Sequence, residues 1–296
     1  MQGFFYKIKL SSFAACKYTM AALTAIEKKT FRLHLIYQVI DGLILGALAL
    51  NEFVFLKSLH GSDYQMGFLF QFSMAVMTFS IFFNELLRRT VNKVRLLRLT
   101  ALATRLPLLI LFFFPDNIFD LQNNVIYHYI FLGIFFVYYL ASPLVLPAIN
   151  LMLKKNYKHD NFSKFYSLIS SISRIFLFIT TFLFGMLLDE DPSIFRIVYP
   201  ILGVLGVLSI VAFSFIPYEE NREEVIIRKG FWGAIKESFV NMIFLLKQNK
   251  PYRDFEIGFM LYGFSFMITV SVIKIFFEEI LSLNYSSISM YLNLQV

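Results

Sequence analysis

Residues 33–56 read LHLIYQVIDGLILGALALNEFVFL, an apolar run that carries two carboxylates, Asp41 and Glu52, in its interior. In a soluble protein these would mark the wet face of a helix, so the reading depends on which solvent surrounds the segment. Composition answers that. Of 296 residues, 58 % are hydrophobic, 37 are phenylalanine and only 16 % are charged, against roughly a quarter charged in a soluble domain. The apolar excess comes in long runs, as membrane spans require.

Seven segments are long and apolar enough to cross a ~30 Å hydrocarbon core as helices: 33–56, 64–86, 97–115, 125–151, 165–188, 195–216 and 254–277. Barrel strands would be alternating stretches of ~10 residues, and in lipid only a helix satisfies its backbone within one segment. The expected fold is an all-α polytopic membrane protein: a six-helix bundle over 33–216, a long connection over 217–253 and a seventh span.

The lysines and arginines set the expected orientation. The tail 1–32 holds Lys7, Lys9, Lys17, Lys28, Lys29 and Arg32, and the connection after the second span holds Arg88, Arg89, Lys93, Arg95 and Arg98. Lys154, Lys155, Lys158 and Lys164 follow the fourth span; Arg222, Arg228, Lys229, Lys236, Lys247, Lys250 and Arg253 follow the sixth. The alternate connections hold only Lys57 and Arg196, beside the acidic stretches PDNIFD and LDEDP. Positive-inside bias puts the amino terminus in the cytoplasm. The same placement makes the basic excess a topology signal rather than a nucleic-acid patch. In the long connection, KGFWGAIKESFVNMIFLLKQNK sets Phe231, Ile235, Phe239, Met242 and Leu246 on one stripe flanked by lysines, the pattern of a helix lying in the membrane interface; a soluble partner helix is the alternative. The tail lacks the unbroken apolar core of a signal peptide, because Lys7, Lys9 and Lys17 interrupt it. Residues 278–296 read as an outer loop and the opening turns of another span, so the expectation is an incomplete polypeptide.

Charges left inside the spans are the functional candidates, because each is costly there and faces the bundle interior. Asp41 and Glu52 are eleven residues apart, which returns them to within about 20° of one helix face, roughly 16 Å apart along the axis. They cannot share one ion, but they can sit at two depths of one path. Asp41 reads either as a proton- or cation-coupling carboxylate, or anchor for a cationic substrate, or as half of a structural ion pair with Arg174 or Arg105. Glu52, beside Asn51 and before Lys57, reads as a solvated residue at the outer mouth. Arg174 continues a polar stripe with Ser167, Ser170 and Ser171, and reads as counter-charge, anion ligand or packing element. Arg105 is placed to snorkel toward the cytoplasm, with Pro107 placed to kink its helix. Lys274 reads as a surface partner of Glu278. Tyr138 and Tyr139 lie too deep for an interfacial belt, so they are cavity candidates. Gly42 and Gly46 read as a helix-contact patch.

Hydrolytic, redox and metal chemistry find no arrangement to support them: one cysteine, Cys16, four scattered histidines, and no phosphate loop or metal motif. No cofactor is expected. Seven spans with a lysine in the last invite a retinal-protein reading, but those proteins keep the amino terminus outside. No channel selectivity element is visible.

Six short-looped spans, a long basic connection and a new span resemble the major facilitator superfamily of secondary transporters. NELLRRTVNKVRLLRLTALATR (84–105) resembles that family's basic loop, usually Gly-x-x-x-Asp-Arg-x-Gly-Arg-Arg; its glycines and aspartate are missing and the cluster Arg88, Arg89, Lys93, Arg95 remains. FGMLLDEDPSIFRIVYPILGVLG (184–206) and NKPYRDFEIGFMLYGFSFM (249–267) look like the turn between the fifth and sixth helices and the entry to the seventh. The resemblance implies alternating access of two halves around a central site, lined by the first and fourth helices and so by Asp41, Tyr138 and Tyr139, with Arg174 near enough to pair. It implies a basic loop that gates the cytoplasmic side through carboxylates at other helix ends, such as Glu85 or Asp160. The partners implied are the lipid bilayer, a small-molecule substrate and a coupled proton or cation, with the cytoplasmic membrane of a bacterium as the location. The alternative is a truncated, non-transporting scaffold, or a half-transporter assembling with another copy.

Overall fold

The computed structural model describes residues 23–218 and 230–295. The tail before residue 23 and residues 219–229, with Arg222, Arg228 and Lys229, lie outside the described residues.

Helix α1 spans Ala25–Ser58, starting eight residues before the apolar run. Its start is set by a capping box: Glu27 N–H donates to Thr24 Oγ1 at 3.2 Å and Thr24 N–H donates to Glu27 Oε2 at 3.1 Å, satisfying two otherwise orphan donors. A turn at Ala49–Leu50 and a π-helical stretch Val54–Ser58 loosen its far end. Helices α2 (Asp63–Thr78) and α3 (Ser80–Arg89) follow one another with a bend of 46° at Phe79. Helix α4 (Lys93–Phe113) changes from α to 3-10 winding at Leu106. Pro107 explains the change: it has no N–H to donate and its ring crowds the preceding turn, so the kink expected there appears as rewinding. After the short α5 (Ile118–Asn123), α6 (Val125–Tyr139) and α7 (Ser142–Asn156) make one span, broken at Leu140–Ala141 ahead of Pro143. Helix α8 is His159–Glu190 and α9 is Phe195–Phe213. Then come α10 (Phe231–Gln248), α11 (Lys250–Ile280) and α12 (Tyr285–Gln295).

Helix α1 packs most extensively on α8 and next on α9. Gly42 and Gly46 make the first contact: a Cβ on Gly42 would stand 2.4 Å from the Ser173 carbonyl oxygen, and one on Gly46 2.5 Å from that of Leu177. Thr181 Oγ1 donates to the Gly46 carbonyl at 2.9 Å. Lipid supplies no hydrophobic drive between helices, so close backbone approach through small residues holds such pairs.

The core is two apolar clusters stacked along the helices. One, near the basic connections, includes Tyr37, Ala101, Ala141, Ile169 and Ile210; the other includes Ile44, Leu108, Tyr138, Phe184 and Leu202. Between them, on helix after helix, polar side chains intervene: Asp41 on α1, Thr104 and Arg105 on α4, Ser173 on α8, Ser209 on α9.

Candidate functional site

The polar layer is centred on Arg105. It does not snorkel: it is 7 % exposed, Nη1 donates to Thr104 Oγ1 at 2.9 Å, and Nε is buried with no partner. Its guanidinium carbon stands 5.1 Å from the Tyr138 ring centre, a cation–π distance. Room for it comes from α9. A Cβ on Gly206 would meet its Cγ, Cδ and Nε at 3.3 Å, and one on Gly203 would meet its carbonyl oxygen at 2.9 Å. Asp41, partly exposed, lies within electrostatic reach of Arg105 and Tyr138. No ion pair within 4 Å joins Asp41 to either Arg105 or Arg174 among the described residues, so the structural-pair alternative is not what the geometry contains.

From Asp41 a polar stripe runs back along α1 toward the basic end: Tyr37, 4 % exposed, and His34, fully buried. His34 Nδ1 lies 3.5 Å from the Tyr157 hydroxyl, while Nε2 is buried without a partner. Tyr157 sits in the connection after α7, where burial first, and the nearby Glu27 carboxylate second, hold its phenol well above the ordinary tyrosine range, so it stays a neutral donor. Sequence reasoning passed over His34. The signal was present: His34, Tyr37 and Asp41 fall at i, i+3 and i+7, one face of a helix.

A second polar site lies farther along α1, at the end opposite the basic connections. Glu52 is not solvated. It is 8 % exposed, and its Oε1 pairs with Lys274 Nζ of α11 at 3.1 Å. Lys274 is 7 % exposed and stands 4.6 Å from the Phe70 ring centre. The expected Lys274–Glu278 surface pair is therefore replaced: Glu278 takes Lys57 at 3.3 Å, and the two bridges form a ladder between α1 and α11. Next to Glu52, Asn51 is fully buried, and the Tyr199 hydroxyl donates to its Oδ1 at 3.5 Å, with Tyr139 close by. The two adjacent tyrosines thus serve different sites, Tyr138 facing Arg105 and Tyr139 facing Asn51, with their rings edge to face at 5.6 Å. Beyond the ladder, Asp189 of α8 caps α12, accepting from Tyr285 N–H at 2.6 Å and Ser286 N–H at 2.9 Å.

Arg174 joins neither site. It is exposed on α8, level with the polar layer but turned away from it, and makes no ion pair among the described residues. In the basic loop, the Glu85 contacts are local rather than between helix ends: Arg88 and Arg89 pair with Glu85 of their own helix α3 at 2.8 and 2.6 Å. Arg89 also lies 5.6 Å from the Phe231 ring centre of α10, tying the loop to that helix. Lys93 is buried and Arg95 exposed.

Among the described residues, six helices are long and apolar enough to cross a membrane, or seven if the bent pair α2–α3 counts as one span. With charges enclosed at mid-span rather than at a wet surface, this is an integral, multi-pass, all-α membrane protein. The family model of the Major Facilitator Superfamily matches residues 33–294, and the chain belongs to that superfamily of membrane transporters. Neither the curated proteins nor the solved structures compared with it gave a match.

Proposed function

We propose that this protein moves a small solute across a bacterial cytoplasmic membrane by alternating access, coupled to protons, with Asp41 as the coupling carboxylate and Tyr138 beside it. One observation carries the reading: a partly exposed carboxylate stands where two apolar clusters part, with the buried Arg105 guanidinium behind it. A charge at that depth is costly unless it is used or paired, and Asp41 has no ion-pair partner among the described residues. The stripe His34–Tyr37–Asp41 supplies titratable or hydroxyl groups from the basic end inward. That end faces the cytoplasm by the positive-inside rule, and α10 lies in the adjacent interface with its lysines flanking the apolar face. Arg88, Arg89, Lys93 and Arg95 gate this side, Arg89 holding α3 against α10, while Glu52 belongs to the closure at the far side.

The test is a panel of solutes applied to proteoliposomes holding a pH-sensitive dye. At least one solute should drive proton movement through the unaltered chain, and Asp41→Asn should abolish that movement. If no solute moves protons through the unaltered chain, or Asp41→Asn retains full movement, the coupling assignment fails.

A further inference from the structure

We propose that the bundle end bearing the basic connections holds a site for a phosphate-bearing anion, with Lys93 as its central ligand and Arg88 and Asn84 beside it. The phosphate comes either from the headgroup of an anionic lipid or from a free phosphate. The proposal stands apart from the transport reading above.

The local sequence builds the site. Asn84, Leu87 and Arg88 fall at i, i+3 and i+4 on one face of α3. The chain turns through residues 90–92, and Asn92 caps α4 by accepting from Arg95 N–H at 2.7 Å. Lys93 is therefore the first residue of α4, at the helix end whose backbone dipole favours anions. Helix α7 packs against both α3 and α4. With Leu151 of α7, these residues line a cavity of about 230 Å³, well above the ~30 Å³ share of one water.

Lys93 carries the argument. It is 7 % exposed, yet its side chain makes no hydrogen bond or ion pair among the described residues. A buried ammonium without a partner is strongly disfavoured. The acid nearest to it in the chain serves others: Glu85 gives Oε2 to Arg88 at 2.8 Å and Oε1 to Arg89 at 2.6 Å. Arg88 adds a second positive charge to the cavity lining, and Asn84 adds an amide. Negative charge is what the lining lacks. A tetrahedral phosphate presents oxygens in several directions, so it can meet Lys93, Arg88 and the amide at once. The place suits a headgroup as well, because basic connections lie at the cytoplasmic interface, where anionic lipids present their phosphates.

The experiment is a phosphorus-NMR titration of the full chain, stripped of lipid in detergent micelles. Its probes are inorganic phosphate and dihexanoyl phosphatidylglycerol. At least one probe should bind saturably and raise the temperature of thermal unfolding. Lys93→Gln should weaken that binding about tenfold or more, through loss of a charge-assisted hydrogen bond. Arg95→Gln removes the same charge from an exposed neighbour and should change binding by less than about twofold. Leu151→Glu puts a carboxylate into the cavity, so it should abolish probe binding and raise thermal stability without any phosphate. Binding of inorganic phosphate identifies a free phosphate as sufficient; binding of the lipid alone assigns the headgroup. Saturable binding of neither probe overturns the site, and so does an equal loss in Lys93→Gln and Arg95→Gln. If binding appears only after Glu219, Glu220, Glu223 and Glu224 are changed to glutamine, the chain's own carboxylates fill the site and the ligand reading falls. Should Lys93→Gln not fold, Leu151→Glu decides, since unchanged probe binding there also overturns the site. None of these outcomes alters solute-driven proton movement, so the transport reading stands or fails separately.

Discussion

Helix α1 is joined to α8 and to α11 in opposite ways. Against α8 it presents Gly42 and Gly46, and backbone meets backbone with no room for a single methyl group. Against α11 it presents Glu52 and Lys57, and charged tips meet across the gap. The first seam has one close-packed arrangement, since interiors at this density do not deform continuously. The second is held by charge, and charge depends on both partners being present. A molecule that must keep one contact and release another has reason to build them from these different materials.

Three single substitutions and one double replacement test that contrast. The largest effect is expected from Lys274→Ala, which leaves the Glu52 carboxylate buried and unpaired; removing one partner of such a pair costs about 3–5 kcal/mol. Thermal unfolding in detergent micelles should show the loss, and the loss should shrink on acidification as the stranded carboxylate takes a proton. Replacing both partners with leucine should recover most of the stability, because apolar packing matches a buried ion pair; failure to recover would show that the ladder holds the fold itself. Next comes Gly46→Ala, where the added methyl meets backbone 2.5 Å away. Overpacking of that kind costs about 1–3 kcal/mol, and here the loss should not vary with pH. A pH-dependent loss in Gly46→Ala would erase the distinction between the seams. Smallest is Lys57→Gln, expected to cost under about 1 kcal/mol because its bridge is partly solvated; a larger cost would make the outer rung the stronger one.

The sequence made the architecture readable because apolar runs of span length have few other uses. Helix ends were less readable: α1 begins at the Thr24–Glu27 capping box, a hydrogen-bond signal that hydropathy does not register. Charge partners were misjudged for one physical reason. Sequence neighbours were paired along one helix, Lys274 with Glu278, whereas the bridges run between helices whose partners are more than two hundred positions apart in the chain. Arg105 was sent to the membrane edge because the space for it is on another helix, at Gly203 and Gly206; those glycines were in view but had no address. Asp41 and Tyr138 were legible as candidates because an isolated polar group deep in an apolar run stands out by itself. Tyr139 stood out equally, but periodicity alone could not show that it faces the other site.

Helix α8 has 32 residues, about 48 Å at 1.5 Å per residue, against a hydrocarbon core of ~30 Å. It therefore projects beyond that core. At one end Asp189 grips the start of α12; at the other, Asn161 donates to Glu27 at 3.1 Å, beside the first turn of α1. An unbroken rod longer than the layer it crosses acts as a lever, so a tilt imposed through α12 on one face arrives at Glu27 on the other without any relay of side chains between them.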